Sequence, residues 1–186
     1  RIRWTQDPKK LAIIRLNRHQ NKMEVLLANA KVGTIVPLYR EENKYYIDES
    51  NLDNLVFLDN GTQFVITSEK SGYMHLYLYD LNGRERQAIT KGNFDIIDFY
   101  GYDPVRKLFY YSSYEESPLE KYIYSINEKG LKKKLTPVKG WNEASFSKNF
   151  NYYINVVSNT DTPPVTALYN AKGKQVRVLE DNKAVK

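Results

Sequence analysis

The chain has 186 residues, 41% hydrophobic and 27% charged, a composition that is ordinary for a globular protein and sufficient to bury a sizeable core. It lacks cysteine, which excludes disulfides and thiolate chemistry, and it has no apolar run near the roughly 20 residues that span a bilayer. The net charge of +6 is spread along the chain, and the one tight basic run, at 132–134, predicts a solvated outer strand rather than a nucleic-acid site.

One pattern of two short apolar strands around a polar turn occurs four times along the chain. It occupies residues 4–11, 57–64, 102–108 and 146–152. Asp59, Asp103 and Ser147 follow each other at intervals of 44 residues, whereas Asp7 precedes Asp59 by 52, which predicts a longer connection after the first repeat. Asp-Pro and Asp-Asn-Gly are turn sequences because Pro presets φ, Gly accepts a positive φ, and the carboxylate bonds nearby N–H groups.

A second turn follows in each repeat, between an alternating strand and a short last strand. These turns lie at 29–33, 82–83, 127–130 and 170–173, and the last strands are predicted at 35–38, 86–90, 132–136 and 175–179. The 16 Tyr also favour β-structure, because a tyrosine suits a half-buried pleated surface. No stretch sustains the apolar spacing of a helix.

Four strands per repeat and a period near 44 residues predict an all-β fold, a β-propeller of about four four-stranded antiparallel blades. The predicted blades are residues 2–41, 51–91, 94–136 and 141–180, all within one partial propeller domain, 1–186. Such blades have two apolar faces and must stack to bury them. A β-sandwich of similar strand count is the alternative, but sandwiches seldom show so regular a repeat.

The longest predicted linker, residues 42–50, carries the only candidate site residues, Tyr45 and Tyr46. Long loops on a rigid scaffold often hold binding residues, so we interpret this pair as a binding loop. The alternative is a connector whose rings cover a blade face.

The sequence contains no motif that predicts catalytic, cofactor-binding or metal-binding residues. The G-x-S-x-G turn of α/β-hydrolases is absent, as are the glycine-rich phosphate loops. The two histidines, His19 and His75, have no metal-site spacing, and His75 is predicted to bond across strands as a structural residue. Asn60-Gly61-Thr62 matches the N-glycosylation sequon, but a β-turn already explains it.

Several strings resemble the propeller of dipeptidyl peptidase IV and its bacterial relatives. They are SEKSGYMHLY at 68–77, ITKG at 89–92, LNRHQN at 16–21, SPLE at 117–120 and VLEDN at 178–182. In that family an eight-bladed propeller caps an α/β-hydrolase domain. The resemblance implies the C-terminal half of such a propeller, a catalytic domain absent from this chain, and a parent serine exopeptidase that removes Xaa-Pro or Xaa-Ala dipeptides from peptide N-termini. The resemblance also implies that the linker with Tyr45 and Tyr46 corresponds to a family loop that reaches towards the active-site cavity. A periplasmic or envelope location is implied by the family alone.

The resemblance implies a non-catalytic segment that walls the active-site cavity of a peptidase and restricts access to peptides. The alternatives are a stand-alone propeller that binds a protein or glycan partner, and a segment of another prolyl-oligopeptidase relative. Since the chain begins with Arg1 rather than Met, we expect a removed segment or a piece of a longer chain. The expected partners are peptide substrates, the missing blades and the hydrolase domain in cis, and a second copy through exposed blade faces.

Overall fold

A computed structural model describes residues 1–59 and 61–185, with only the backbone of Val185, and the chain divides into two units, Arg1–Thr90 and Lys91–Lys186. Strands dominate both units. Across the described residues the helical segments are two short 3-10 helices, Glu49–Asp53 and Lys183–Val185, and no helix is long and apolar enough to cross a membrane. The predicted all-β class is confirmed. Asn60, the acceptor residue of the sequon, lies outside the described residues.

The first unit contains two four-stranded antiparallel sheets whose strands pair in chain order. The strands of the first sheet are β1 Ile2–Trp4, β2 Lys10–Leu16, β3 Lys22–Asn29 and β4 Ile35–Glu42. Those of the second sheet are β5 Val56–Phe57, β6 Gln63–Ser68, β7 His75–Asp80 and β8 Glu85–Ala88. The long connection predicted after the first repeat is the segment between β4 and β5, which contains the first 3-10 helix.

The second unit holds two further groups of four antiparallel strands. The first group is β9 Ile96–Asp103, β10 Leu108–Ser117, β11 Glu120–Ile126 and β12 Lys132–Lys134. The second is β13 Trp141–Phe146, β14 Tyr152–Asn159, β15 Thr162–Asn170 and β16 Gln175–Glu180. A parallel bridge between Lys121 of β11 and Trp141 of β13 joins the two groups into one eight-stranded sheet.

Short polar side chains hold the turns between paired strands. Asn127 Oδ1 accepts hydrogen bonds from the backbone N–H groups of Lys129 and Leu131, both at 3.0 Å, and Asn170 and Asn29 form the same kind of turn. In the second sheet Asp80 takes this role, because its Oδ1 accepts from the N–H groups of Asn82 and Arg84. Turn chemistry therefore explains why each strand pair forms where it does.

Each unit has an aromatic-rich core of its own. In the first unit Phe64 is fully buried, and its ring lies 5.3 Å from that of Tyr79 and 5.9 Å from that of Phe57. In the second unit Tyr153 is buried between the rings of Phe146 and Tyr169, at 5.0 and 5.2 Å. The many tyrosines thus supply core area, and their ring stacking adds to the stabilisation that burial provides.

Two predictions are confirmed, one about His75 and one about the basic run at 132–134. His75 is buried, and its Nδ1 lies 3.1 Å from Thr90 Oγ1, as expected of a structural histidine. The basic run is an exposed strand, β12, in which Lys132 and Lys134 form ion pairs of 2.6 and 2.7 Å with two neighbouring glutamates.

Candidate functional site

The segment that follows β4 is fastened to the turn between β2 and β3. The N–H of Asn43 donates to the carbonyl of Asn21 at 2.9 Å, and the N–H of Ile47 donates to that of Gln20 at 2.6 Å. The Ile47 side chain is buried in the core of the first unit, with 4% of its surface exposed. Backbone bonds at both ends and a buried anchor leave this loop little freedom.

Tyr45 and Tyr46 lie between these two attachment points and point away from the core. Their exposed fractions are 77% and 48%, so neither ring is buried against a sheet. Asn43 Oδ1 accepts from the N–H of Tyr45 at 2.9 Å, and the Lys44 ammonium lies 5.1 Å from the Tyr45 ring centroid. The loop therefore presents two aromatic rings and a cation on a fixed support, and the role of the rings in binding stays a prediction.

The chain then turns back into the core through the short 3-10 helix Glu49–Asp53. Asp48 caps it, with Oδ1 accepting from the N–H of Ser50 at 2.8 Å, and this hydrogen bond lowers the pKa of the Asp48 carboxyl. Asp53 at the other end forms ion pairs with Arg1, which precedes β1, and with Arg3, which lies within it. The tyrosine loop is thus closed on both sides by ordered structure.

A groove of about 460 Å³ runs beside this loop, across the ends of β2, β3 and β4. Three charged side chains line the groove side by side, because strand pairing places Glu24 of β3 opposite Arg15 of β2 and Arg40 of β4. Glu24 accepts from Arg15 Nε at 2.6 Å and forms an ion pair with Arg40 Nε at 3.0 Å. These partners, Arg15 first, hold the pKa of Glu24 below its usual value.

A chain of tyrosines connects the groove to the next sheet of the same unit. Tyr39 OH donates to Glu41 Oε2 at 2.6 Å, and the Tyr39 ring meets that of Tyr79 edge-on at 5.1 Å. The Lys70 ammonium lies 2.5 Å from Tyr79 OH and pairs with Glu85. We call Lys70, Tyr79 and Glu85 the lysine clamp. Burial raises the pKa of Tyr79, so its hydroxyl stays protonated and donates to Glu85 Oε2.

The lysine clamp makes the stability of the first unit depend on pH. Burial opposes ionisation of Glu85, but hydrogen bonds from Lys70 and Tyr79 outweigh it and lower the carboxyl pKa from its ordinary 4.5. A lowered pKa stabilises the fold above about pH 4.5, and this stabilisation is lost as the pH falls through the lowered value. Because both side chains are partly exposed, we expect Glu85→Gln to cost only about 0.5 kcal/mol at pH 7.

Urea unfolding at pH 7 and pH 3 measures this dependence directly. The difference between wild type and Glu85→Gln is expected to shrink as the pH falls through the lowered pKa of the wild-type carboxyl. Glu49→Gln, at an exposed position of the 3-10 helix, is the control and should change little at either pH. An equal deficit of Glu85→Gln at both pH values would contradict the assignment.

Strand pairing brings together residues that the sequence pattern did not single out. Arg15, Glu24 and Arg40 are each ordinary charged strand residues in the sequence, and only the register of β2, β3 and β4 makes them neighbours. Tyr45 and Tyr46 lie at the same end of the sheet as this groove, since β4 ends there. In the described part of the chain, no group of three or more His, Asp or Glu side chains is placed to hold a metal ion.

The four groups of strands, each a small antiparallel set of four that repeats along the chain, are blades of a β-propeller. The family described as the dipeptidyl peptidase IV N-terminal region matches residues 1–164, and the chain belongs to this family.

Solved structures and curated relatives agree with this assignment. The crystal structure of dipeptidyl peptidase 4 from Porphyromonas gingivalis is similar, with a TM-score of 0.92 and 38% identity over 99% of this chain and 26% of that one. Dipeptidyl peptidase 4 of Arthroderma otae is 28% identical over 91% of this chain and 23% of its own length. The corresponding protein of Trichophyton rubrum is 29% identical over 72% and 19%. The chain spans about a quarter or less of the length of these relatives.

Proposed function

We propose that this chain is the non-catalytic propeller segment of a serine exopeptidase that releases Xaa-Pro or Xaa-Ala dipeptides from peptide N-termini. The family match over residues 1–164 supports the proposal, together with relatives that are dipeptidyl peptidases. The segment walls the substrate cavity and admits peptides rather than folded proteins. The catalytic residues belong to a hydrolase domain outside this chain, and the enzyme works in the periplasm or cell envelope of a bacterium.

The observation that carries the cavity role is the rigid tyrosine loop. A substrate-facing wall needs side chains whose position does not depend on the ligand, because ordering a mobile loop lowers affinity. Tyr45 and Tyr46 meet this need, since backbone hydrogen bonds at Asn43 and Ile47 fix the loop while both rings remain exposed. Tyrosine offers a peptide both an apolar ring and a hydroxyl, at a small entropic cost.

The remaining proposed partners follow from exposed apolar side chains on the outer strands. Ile2 and Trp4 of β1 are 65% and 68% exposed, and Val176 and Val178 of β16 are 54% and 42% exposed. Large apolar groups of this kind in a propeller are covered by a neighbouring blade. We assign them to further blades of the longer protein, or to a second copy when the chain stands alone.

The test is the hydrolysis of Xaa-Pro peptides by the longer protein that carries this segment. Changing both Tyr45 and Tyr46 to Ala should raise KM for pentapeptides about tenfold and leave kcat nearly unchanged, because the loop binds and does not react. Tyr152→Ala, which removes a ring of similar exposure in the second unit, is the matched control.

Two results would count against the proposal. The absence of any Xaa-Pro cleavage by the longer protein would remove the peptidase assignment. Unchanged KM values in the double variant, with cleavage intact, would remove only the role of the tyrosine loop.

A further inference from the structure

Four turns of the second unit lie at one end of its eight-stranded sheet. They connect β9 to β10, β11 to β12, β13 to β14, and β15 to β16. Within each antiparallel group, alternate turns fall at the same end. Since β11 and β13 run parallel, the turns of both groups share that end. We call this surface the basic turn end.

Contacts between the turns make this end one continuous surface. Arg106, in the first turn, reaches Asn151, beside the third, with Nη2 donating to Oδ1 at 2.6 Å. Lys133 of β12 donates through Nζ to the carbonyl of Lys172, in the fourth turn, at 2.8 Å. Charges on the four turns are therefore displayed together rather than on separate projections.

The basic turn end carries a concentration of exposed lysines. The six are Lys107, Lys129, Lys133, Lys148, Lys172 and Lys174. Among the described residues none of the six forms an ion pair with a carboxylate, in contrast to Lys132 and Lys134. The four turns of the basic turn end hold one exposed carboxylate, Glu128, whereas the opposite end of the sheet carries Glu116, Glu120 and Asp161 near its turns, the first two ion-paired with Lys134 and Lys139. The second unit is thus polarised, and its positive end attracts anions.

Two apolar side chains project from the same end, between the lysines. Val105 is 85% exposed and Leu131 is 69% exposed. Both are held by side-chain bonds in their turns, because Asp103 Oδ1 accepts from the N–H of Val105 at 2.9 Å and Asn127 Oδ1 accepts from that of Leu131 at 3.0 Å. Exposed apolar side chains held rigidly among lysines are not needed for hydration of a protein surface, so this combination indicates an interaction surface.

We propose that the basic turn end docks on an anionic lipid surface. Lysines near such a surface are attracted to the headgroup phosphates, each strengthening binding roughly fivefold. Val105 and Leu131 would enter the boundary between headgroups and acyl chains, where short apolar side chains gain from burial. A soluble polyanion such as a nucleic acid matches the lysines but offers no apolar layer for the two tips. The inference stands apart from the proposed peptidase function.

The test is partition of the 186-residue chain onto lipid vesicles, measured by sedimentation at about 0.15 M salt, where surface charges still act over about 8 Å. The chain is expected to bind equimolar phosphatidylglycerol–phosphatidylcholine vesicles and not pure phosphatidylcholine. The double variant Lys129→Glu with Lys174→Glu should lower the partition coefficient at least tenfold, and Leu131→Ser several-fold. Circular dichroism establishes that each variant is folded.

The matched control changes the same number of charges elsewhere in the second unit. Lys139→Glu with Lys183→Glu alters side chains that are 82% and 79% exposed, away from the basic turn end. It should retain most of the binding. An equal loss in the control would show attraction by net charge alone and overturn the proposal. Equal binding to both kinds of vesicle would also overturn the proposal. So would the absence of vesicle binding together with binding to a soluble polyanion whose affinity does not change in Leu131→Ser.

Discussion

Gly83→Ala is expected to destabilise the first unit by about 3 kcal/mol, whereas Gly33→Ala, in the equivalent turn, costs only about 1 kcal/mol. Both glycines have a positive φ, +78° and +69°, which an alanine adopts at a cost of about 1–2 kcal/mol. At Gly83 an added Cβ would also lie 2.6 Å from the backbone carbonyl oxygen of Leu38. A backbone atom cannot turn aside as a flexible side chain can, so the strand must shift.

Urea unfolding of both variants, followed by circular dichroism, measures the two losses. The second unit provides an independent pair, because a Cβ at Gly173 would meet the carbonyl oxygen of Leu135 at 2.8 Å, while nothing described lies within 4 Å of the one at Gly130. Equal losses within both pairs would mean that strained φ alone decides the effect. The close approach of turn and strand would then contribute nothing.

Phe64→Ala is expected to cost about 3–5 kcal/mol, the largest effect of any single change considered. Phe64 has no exposed surface and packs its ring against those of Tyr79 and Phe57. Removing a buried ring loses its transfer free energy and leaves a cavity that the surrounding sheets fill only in part. Loss of this much stability brings a domain of ordinary stability close to unfolding at 25 °C.

Two further variants separate the packing effect from the loss of an aromatic residue as such. Phe64→Leu keeps most of the volume and should cost about half as much as Phe64→Ala. Tyr45→Ala removes a ring that is 77% exposed and should change stability by less than about 0.5 kcal/mol. A large effect of Tyr45→Ala would contradict the view that this ring is free of the core.

The fold class followed from local signals that act over a few residues. The Asp-Pro turn at Asp103 and the Asn turns at Asn127 and Asn170 form as turn chemistry predicts, because a side-chain oxygen bonds N–H groups two to four residues ahead. Strand ends were less predictable. β4 continues to Glu42 rather than ending near Leu38, because pairing with β3 extends to the Lys22–Glu42 pair.

The candidate site was predictable only in part. The tyrosine pair stood out because it interrupts a polar linker between two repeats. The groove and the lysine clamp did not, since their members lie on different strands or, for Lys70, in the turn between β6 and β7, and carry no motif. Lys70 and Glu85 are 15 residues apart in sequence, and folding of β7 and β8 brings them together over Tyr79.

The sequence by itself determined the repeat, the turn residues and the family, because each depends on residues close together or on recurring strings. The tertiary structure decided which of the equivalent positions are in contact. Gly33 and Gly83 occupy the same kind of turn with nearly the same φ, yet only Gly83 rests on a neighbouring strand. A turn's conformation is set by its own few residues, whereas its neighbours depend on how separate sheets pack. Gly83 meets the backbone of Leu38 and Gly173 meets that of Leu135, residues that are distant in the sequence.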